Sequence, residues 1–598
     1  MGGRKVRQPL DLANGDLRLR ATAAARGDQP FDLLIRGGTL IDMVTGERRP
    51  ADIGIVGPLI ASVHAPGTRS DGRDVLDVAG AILSPGLIDT HMHVESSMVT
   101  PATYCDAVLA NGVTTVVWDP HEFANVHGIP GVDYAIRATE DLPLRFVVLA
   151  PSCVPSAPGQ ERAGADFDAA TVSGLLDRSD IGGVAEVMNM RDVIAGEPRM
   201  SSIVQAGLAA GKPVCGHARG LTGATLQAFM AAGVGSDHEL TSGPDLMEKL
   251  RAGLFIELRG SHDHLLPEFV AELNRLGHLP QTLSLCTDDV FPDDLLQGGG
   301  LTDVVRRLVG YGLPPEWALQ AATLNGARKL GREDLGLIAA GRRADLVIFS
   351  DLRSFAASHV VANGRIVARD GVVLRPSVAA EAGDFLHSTR LAALTADDFR
   401  IRSTGRRVRV ATIDRPRFTR WGEAETTVEG GVVVPPTGST LIAVVHRHGL
   451  GDTTPRLGFL RDWGAWRGAF ATTVSHDSHN LTVFGGNPED MAIAANAVIA
   501  AGGGMAAAAG GEVLAVLPLP VSGLVSPASL AKVAADFAAL REAMDRIVDW
   551  QPPYLIFKAC FGATLACNLG PHQTDLGIAD IARGRVLSSP ILAILSGA

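Results

Sequence analysis

The sequence predicts an α/β protein built around a metal-dependent (β/α)8 barrel, with a small β-sandwich domain split in sequence on either side of it and a further α/β domain after it. Three observations predict this. Eight apolar β-type runs alternate with helix-like stretches between residues 87 and 340, the signature of βα units around a parallel sheet. Two β-rich segments of matching pattern, 31–86 and 341–380, flank that region. Imidazole and carboxylate side chains recur where the runs end. Composition agrees: 598 residues, formal net charge -12, 46% hydrophobic and 20% charged. A globular chain of this length accommodates three domains of roughly 100–200 residues each. The pI near 5.8 argues against a nucleic-acid binder, which usually shows a basic face.

Taken in order, residues 1–28 carry basic side chains but lack the apolar core of about 7–15 residues that a secretory signal requires; residues 1–30 are expected to be a mobile extension. Phe31 to Asp42 and Ala51 to Val56 read as short strands between glycine turns. The pattern returns at Ala344 to Phe349 and Val360 to Val367, so the two halves should form one small β domain embracing the insert. The eight runs are Gly86 to Val94, Thr114 to Trp118, Arg145 to Ala150, Gly182 to Val187, Lys212 to His217, Gly233 to His238, Leu254 to Leu258 and Thr282 to Asp288. The site should lie where these runs end. Residues 381–598 begin Arg-rich and then mix strands (Leu441 to His446, Val513 to Leu517) with Ala-rich helices (Leu530 to Ile547), a separate α/β domain.

Met491 to Val525 exceeds the run of about 18 apolar residues that suggests a membrane span. Gly502 to Gly504, Gly510, Gly511, Glu512, Pro518 and Pro520 divide it into a helix, a turn and a buried strand, so no membrane association is expected. Six cysteines, with no C-x-x-C pair, are too sparse for a disulfide framework and point to a reducing, cytoplasmic setting.

The chemistry lies at the run ends. His91 and His93 are two apart, so on an extended strand both imidazoles face one side. Glu186 closes run four, His217 run five, His238 run six and Asp288 run eight. A lone buried His is usually a satisfied core residue, and an Asp after a strand usually a helix cap; six ligand-type side chains on five run ends form a pattern. Mixed imidazole and carboxylate ligands suit Zn, Fe or Mn, and six are enough for two ions sharing one carboxylate.

Pro85-Gly86-Leu87-Ile88-Asp89-Thr90-His91-Met92-His93 resembles the opening motif of the amidohydrolase superfamily. Within it, the match is to the bacterial adenine deaminase family, through His91 to Met98, Asp119-Pro120-His121-Glu122, Ala185 to Asn189, Ser236 to Glu239, Ser475 to Asn480 and Leu517 to Pro520. His446 to Asp452 matches that family's basic glycine stretch only in part, and Ala501 to Met505 replaces a more polar version. The resemblance implies hydrolytic deamination of adenine to hypoxanthine and ammonia, a step of purine salvage, at a centre of two divalent ions (Fe, Mn or Zn). By position, His91 and His93 would bind one ion, His217 and His238 the other, Glu186 would bridge, and Asp288 would touch metal and move protons. Asp288, His238 and Glu186 are thus the expected catalytic groups. Glu95, Asp119, His121, Glu122, His476 and Asp477 are the expected substrate contacts, with Ser475 to Asn480 either a lid over the barrel or a turn of its own domain. The implied partners are adenine and water, and a large acidic enzyme of this kind is expected as a homo-oligomer, a dimer or tetramer.

Three other readings fit the residues less well. His93-Val94-Glu95 fits half of the cytidine-deaminase zinc signature, but the required P-C-x-x-C is absent from the sequence. A ring-amide hydrolase of the same superfamily would carry a carbamylated lysine at run four, where this chain has Glu186; the nearest lysine, Lys212, stands at the start of run five. A non-catalytic scaffold would be expected to lack the ligands.

Overall fold

Strand Phe31–Ile41 pairs antiparallel with Arg48–Val56 and parallel with Gly72–Asp77 and Ile82–Pro85. The structure is a computed structural model describing residues 11–416, 418–550 and 556–596. Ile82–Pro85 pairs antiparallel with Leu346–Phe349 from beyond the long insert, and the path continues through Ala357–Ala362 and Arg365–Arg369. Alternation decides the faces: Leu33, Ile35, Ile53, Ile55, Leu346 and Ile348 are buried together, whereas Leu34 and Val56 pack in a separate cluster. Where the sequence suggests a sandwich, nine strands hydrogen-bond into one sheet.

The expectation of a mobile extension is corrected from residue 11 onward; residues 1–10 lie outside the described residues. Gly15–Arg26 is a helix, capped by Asn14, whose side chain accepts from Leu17 N at 3.1 Å, and closed by Gly27 at φ 92°. Leu12, Ala21 and Ala24 are buried against Leu34, Val56 and Leu59. Small residues one turn apart let this helix lie close to the sheet, a weak apolar signal among many charges.

Eight parallel strands fill the insert: β1 (Leu87–Met92), β2 (Val113–Trp118), β3 (Arg145–Ala150), β4 (Ile181–Val187), β5 (Val214–Gly216), β6 (Ser236–Asp237), β7 (Phe255–Arg259) and β8 (Leu283–Cys286), each followed by a helix. β1 to β5 form one sheet in chain order and β6 to β8 another. At their junction Gly235 N donates to Val214 O at 3.0 Å. At the opposite edges Asp288 N donates to His91 O at 3.0 Å, within an isolated parallel bridge between Met92 and Asp288. The parallel sheet therefore curls from β1 back towards β1. Runs five and six are shorter than expected. Only His91 and Glu186 lie within strands; His93, His217 and His238 stand just beyond them, and Asp288 follows β8 in an isolated bridge to Met92.

Beyond residue 400 a ten-stranded sheet carries a helix on each face. Phe470, Phe484, Met505 and Ala507 pack with Phe537, Leu540 and Met544 of helix Leu530–Ile547. Their strand neighbours Ala469, Ala471, Val483, Ala506 and Ala508 pack with Met491, Ala495 and Val498 of helix Pro488–Ala500. The apolar stretch from Met491 to Val525 is thus the remainder of that helix, two strands (Gly504–Ala509 and Glu512–Pro518) and the turns after them. Among the described residues no helix is long and apolar enough to cross a membrane. This domain reaches the ends of the parallel strands: Ser526 N donates to Met98 O at 2.9 Å, and Asn480 Nδ2 donates to Arg162 O at 2.8 Å.

Candidate metal centre and active site

Glu186 stands at the centre. Its Oε1 lies 3.3 Å from His93 Nε2 and 3.8 Å from His91 Nε2; its Oε2 lies 2.8 Å from His217 Nδ1 and 3.3 Å from His238 Nε2. Asp288 Oδ1 joins the first group, 3.3 Å from His93 Nε2 and 3.8 Å from His91 Nε2. All six are buried. The six side chains predicted from the run ends are therefore gathered in one place, five of them in two sets around the two oxygens of the sixth, Glu186.

Local structure aims them. His93 Nδ1 sits 3.0 Å from the carbonyl oxygen of Asp119, which leaves Nε2 to face Glu186, the usual way a ligating imidazole is oriented. The rings of His91 and His238 stack at 4.0 Å between centroids. Asp288 has φ 57°, a left-handed conformation uncommon for a residue other than glycine and characteristic of positions held by function. That turn brings Asp289 to the cavity as well: Ser96 Oγ donates to its Oδ1 at 2.5 Å, and Arg259 lies 3.4 Å from its Oδ2.

The residues fit divalent ions. Both ring nitrogens of His91 are buried without a hydrogen-bond partner in the protein, a state that costs about 1–3 kcal/mol per group unless something else binds there. Burial drives the His91 imidazole well below its usual range, favouring the neutral form whose lone pair ligates metal. Burial opposes charge on Glu186, but His217, His238 and His93 hold its carboxyl well below the ordinary range. Lys212 plays no part here: its amine donates to Leu176 O and Arg178 O at 2.6 and 2.7 Å.

A cavity of about 150 Å³ opens beside this group, lined by His93, His121, Glu186, His217, His238 and Asp288 and by His476 and Asp477 of the last domain. Of the predicted substrate contacts, His121, His476 and Asp477 face it. Asp477 Oδ1 lies 3.7 Å from His121 Nε2, so the segment Ser475 to Asn480 reaches into the mouth formed by the parallel strands. Arg447, from the partly matching His446 to Asp452 segment, is buried and supports that segment by donating to His479 O. Glu95, Asp119 and Glu122 sit behind the lining. Glu95 accepts from Trp118 Nε1 at 2.8 Å and Phe123 N at 3.2 Å, and burial beside Glu122 pushes its carboxyl up to about 8. Asp119 accepts from His121 N at 3.0 Å and Glu186 N at 3.3 Å.

Sequence reasoning missed Arg219, Glu239, Arg259, His262, Asp289 and Lys558, which also line the cavity. Arg259 had a usable signal, because it closes β7, one of the run ends left unclaimed. Glu239 follows His238 directly. Lys558 comes from helix Ile556–Phe561, and nothing in its local sequence marks it.

A curled parallel α/β sheet with histidines and carboxylates at its strand ends is an amidohydrolase arrangement, and the amidohydrolase family model matches residues 82–367. The model of the adenine deaminase C-terminal domain matches 416–585. An adenine deaminase 2 of Rhizobium meliloti (strain 1021) is 70% identical over 98% of this chain and 99% of its own length. An adenine deaminase of Klebsiella pneumoniae is 52% identical over 97% of each, and one of Moorella thermoacetica 40% identical over 91% of this chain and 92% of its own. The chain belongs to the adenine deaminase family.

Proposed function

We propose that this protein hydrolyses adenine to hypoxanthine and ammonia at a centre of two divalent ions, Fe, Mn or Zn. The observation that carries this is the division of Glu186: one oxygen faces His91 and His93 with Asp288, the other faces His217 and His238. On this reading His91, His93 and Asp288 would hold one ion and His217 and His238 the other, with Glu186 serving both. Such ions, when bound, lower the pKa of water towards 7 and make hydroxide available at neutral pH.

The chain's own groups do the rest. Asp288 takes the proton from the water that attacks C6 and passes it to the departing amine, as a general base turned acid. His238 and Glu186 fix the position of the attacking oxygen beside it. His121, His476 and Asp477 present donors and acceptors to the purine edge, while Asp119, Glu122 and Glu95 hold those side chains and their loops in place. The eight strands close as a (β/α)8 barrel at 87–340, with the small β domain at 31–86 and 341–380 and the last domain, from 381, serving as the lid. Six free, buried cysteines support a cytoplasmic setting, and symmetric closure supports a dimer or tetramer.

The test is ammonia release by the metal-loaded protein over a panel of nucleobases. Release from adenine, with little from cytosine or guanine, is expected. Release from another aminated heterocycle or opening of a cyclic amide, with none from adenine, would overturn the assignment.

A further inference from the structure

Lys249 is fully buried on helix Gly243–Ala252, behind β6. Its amine lies 2.9 Å from Asp237 Oδ2 and 3.0 Å from Asp245 Oδ1, and Asp245 is itself held by Thr241 N and Oγ1 at 2.8 and 3.0 Å. The other oxygen of Asp237 accepts from Ala218 N at 2.6 Å and from Glu239 N at 3.0 Å. Those two amides belong to the residues directly after His217 and His238. One carboxylate therefore ties together the chain leaving β5 and the chain leaving β6, at the two imidazoles that face Glu186 Oε2. Between these strands the ladder itself is sparse, since β6 is two residues long and β5 three.

As core filling the pair is a poor choice. Taking an ammonium and carboxylates out of water costs about as much as their attraction returns, and apolar side chains of similar volume often serve as well or better. Apolar side chains cannot accept two amide hydrogens at a chosen separation. We propose that Lys249 is a positioning residue for the second ion: it anchors Asp237 Oδ2, so that Oδ1 clamps the two strand ends carrying His217 and His238. This rests on the two-metal reading above.

The test is titration of metal-free full-length protein with Mn²⁺ by calorimetry, beside the thermal midpoint of the same metal-free samples. Wild type is expected to take up two ions. In Lys249→Met and Asp237→Asn one ion should bind as in wild type and the other about 10–100-fold more weakly, the scale of lost support behind a ligand. Asp237→Asn keeps an acceptor towards the amides but turns an amide donor towards Lys249, which retains Asp245 as partner; it carries the test if Lys249→Met does not fold. Asp245→Asn, which keeps the Lys249–Asp237 contact, should bind both ions as wild type even if its midpoint falls. Wild-type binding of both ions in Lys249→Met and Asp237→Asn would overturn the clamp. So would affinity falling in all three variants in step with thermal midpoint, which would make Lys249 an ordinary core ion pair. A wild type that binds fewer than two ions overturns the two-metal reading and the clamp with it.

Discussion

Glu186 meets different partners with each of its oxygens, so changing it to Gln keeps its shape while removing the charge that, on the two-metal reading, would draw two cations together. Glu186→Gln is expected to retain the wild-type circular dichroism spectrum and to lose most turnover and part of its metal. Wild-type turnover would make Glu186 an ordinary core carboxylate. Asp288→Asn should lower kcat by about 10²–10⁴-fold, the usual cost of a lost general base, with a much smaller change in KM. Asp289 faces the same cavity, but Ser96 Oγ donates to it while Arg259 contacts both carboxylates, so Asp289→Asn should be the milder variant when both are compared at equal metal content. If Asp289→Asn is the inactive one, the proton-handling role moves to Asp289. The metal-type side chains were legible because strand ends are where a parallel sheet presents functional groups. The direction of Asp289 was not, since alternation holds only in extended chain and Asp288 turns left-handed. Glu95 shows the converse: a carboxylate close to a metal motif in sequence can be occupied with an indole and a backbone amide.

At the scale of elements, the segment Ser475 to Asn480 reaches the cavity beside metal-type residues that lie in or just beyond the parallel strands. Asp477→Asn should therefore raise KM for adenine or lower turnover without altering metal content, measured by steady-state kinetics with elemental analysis. Unchanged kinetics would leave the segment a turn of its own domain. His127 Nε2 lies 3.1 Å from Ser522 Oγ, and its ring packs 4.4 Å from Phe385 between centroids, joining the parallel-strand region to the last domain. Burial, with Arg447 nearby, lowers this imidazole to about 4 in the folded state, against an ordinary value near 6.5 in the unfolded chain. Below about pH 6.5 the unfolded chain takes up a proton that the folded state refuses. Its contribution is thus complete above that pH and declines as pH falls towards 4. Thermal midpoints across pH 4–7 should fall with acid, and His127→Gln should flatten part of that fall; an identical slope in the variant would contradict it. Existence and order of the eight runs were readable from apolar patterning. The ends of runs five and six were not, because β-type residues continue into loops after the ladder bonds have stopped. Helix Gly15–Arg26 escaped notice because its buried face is chiefly alanine.

Across the whole molecule, the cavity is lined from different parts of the chain. The metal-type residues lie between His91 and Asp288, yet His476, Asp477 and Lys558 line the same cavity. Sequence patterning could place the first set on strand ends, whereas the second set is brought in by docking between domains, which no local period encodes. Lys558 is the plainest example, a cation on a short helix whose amine reaches Ser261 O at 3.2 Å. The most direct measurement is titration of metal-free protein with Mn²⁺, Fe²⁺ or Zn²⁺, following ammonia release from adenine and bound metal in the same samples. Deamination of adenine that rises to its maximum as the chain fills with two ions is the expected result. Full activity with one ion or none, or two bound ions with no ammonia from adenine, would contradict it.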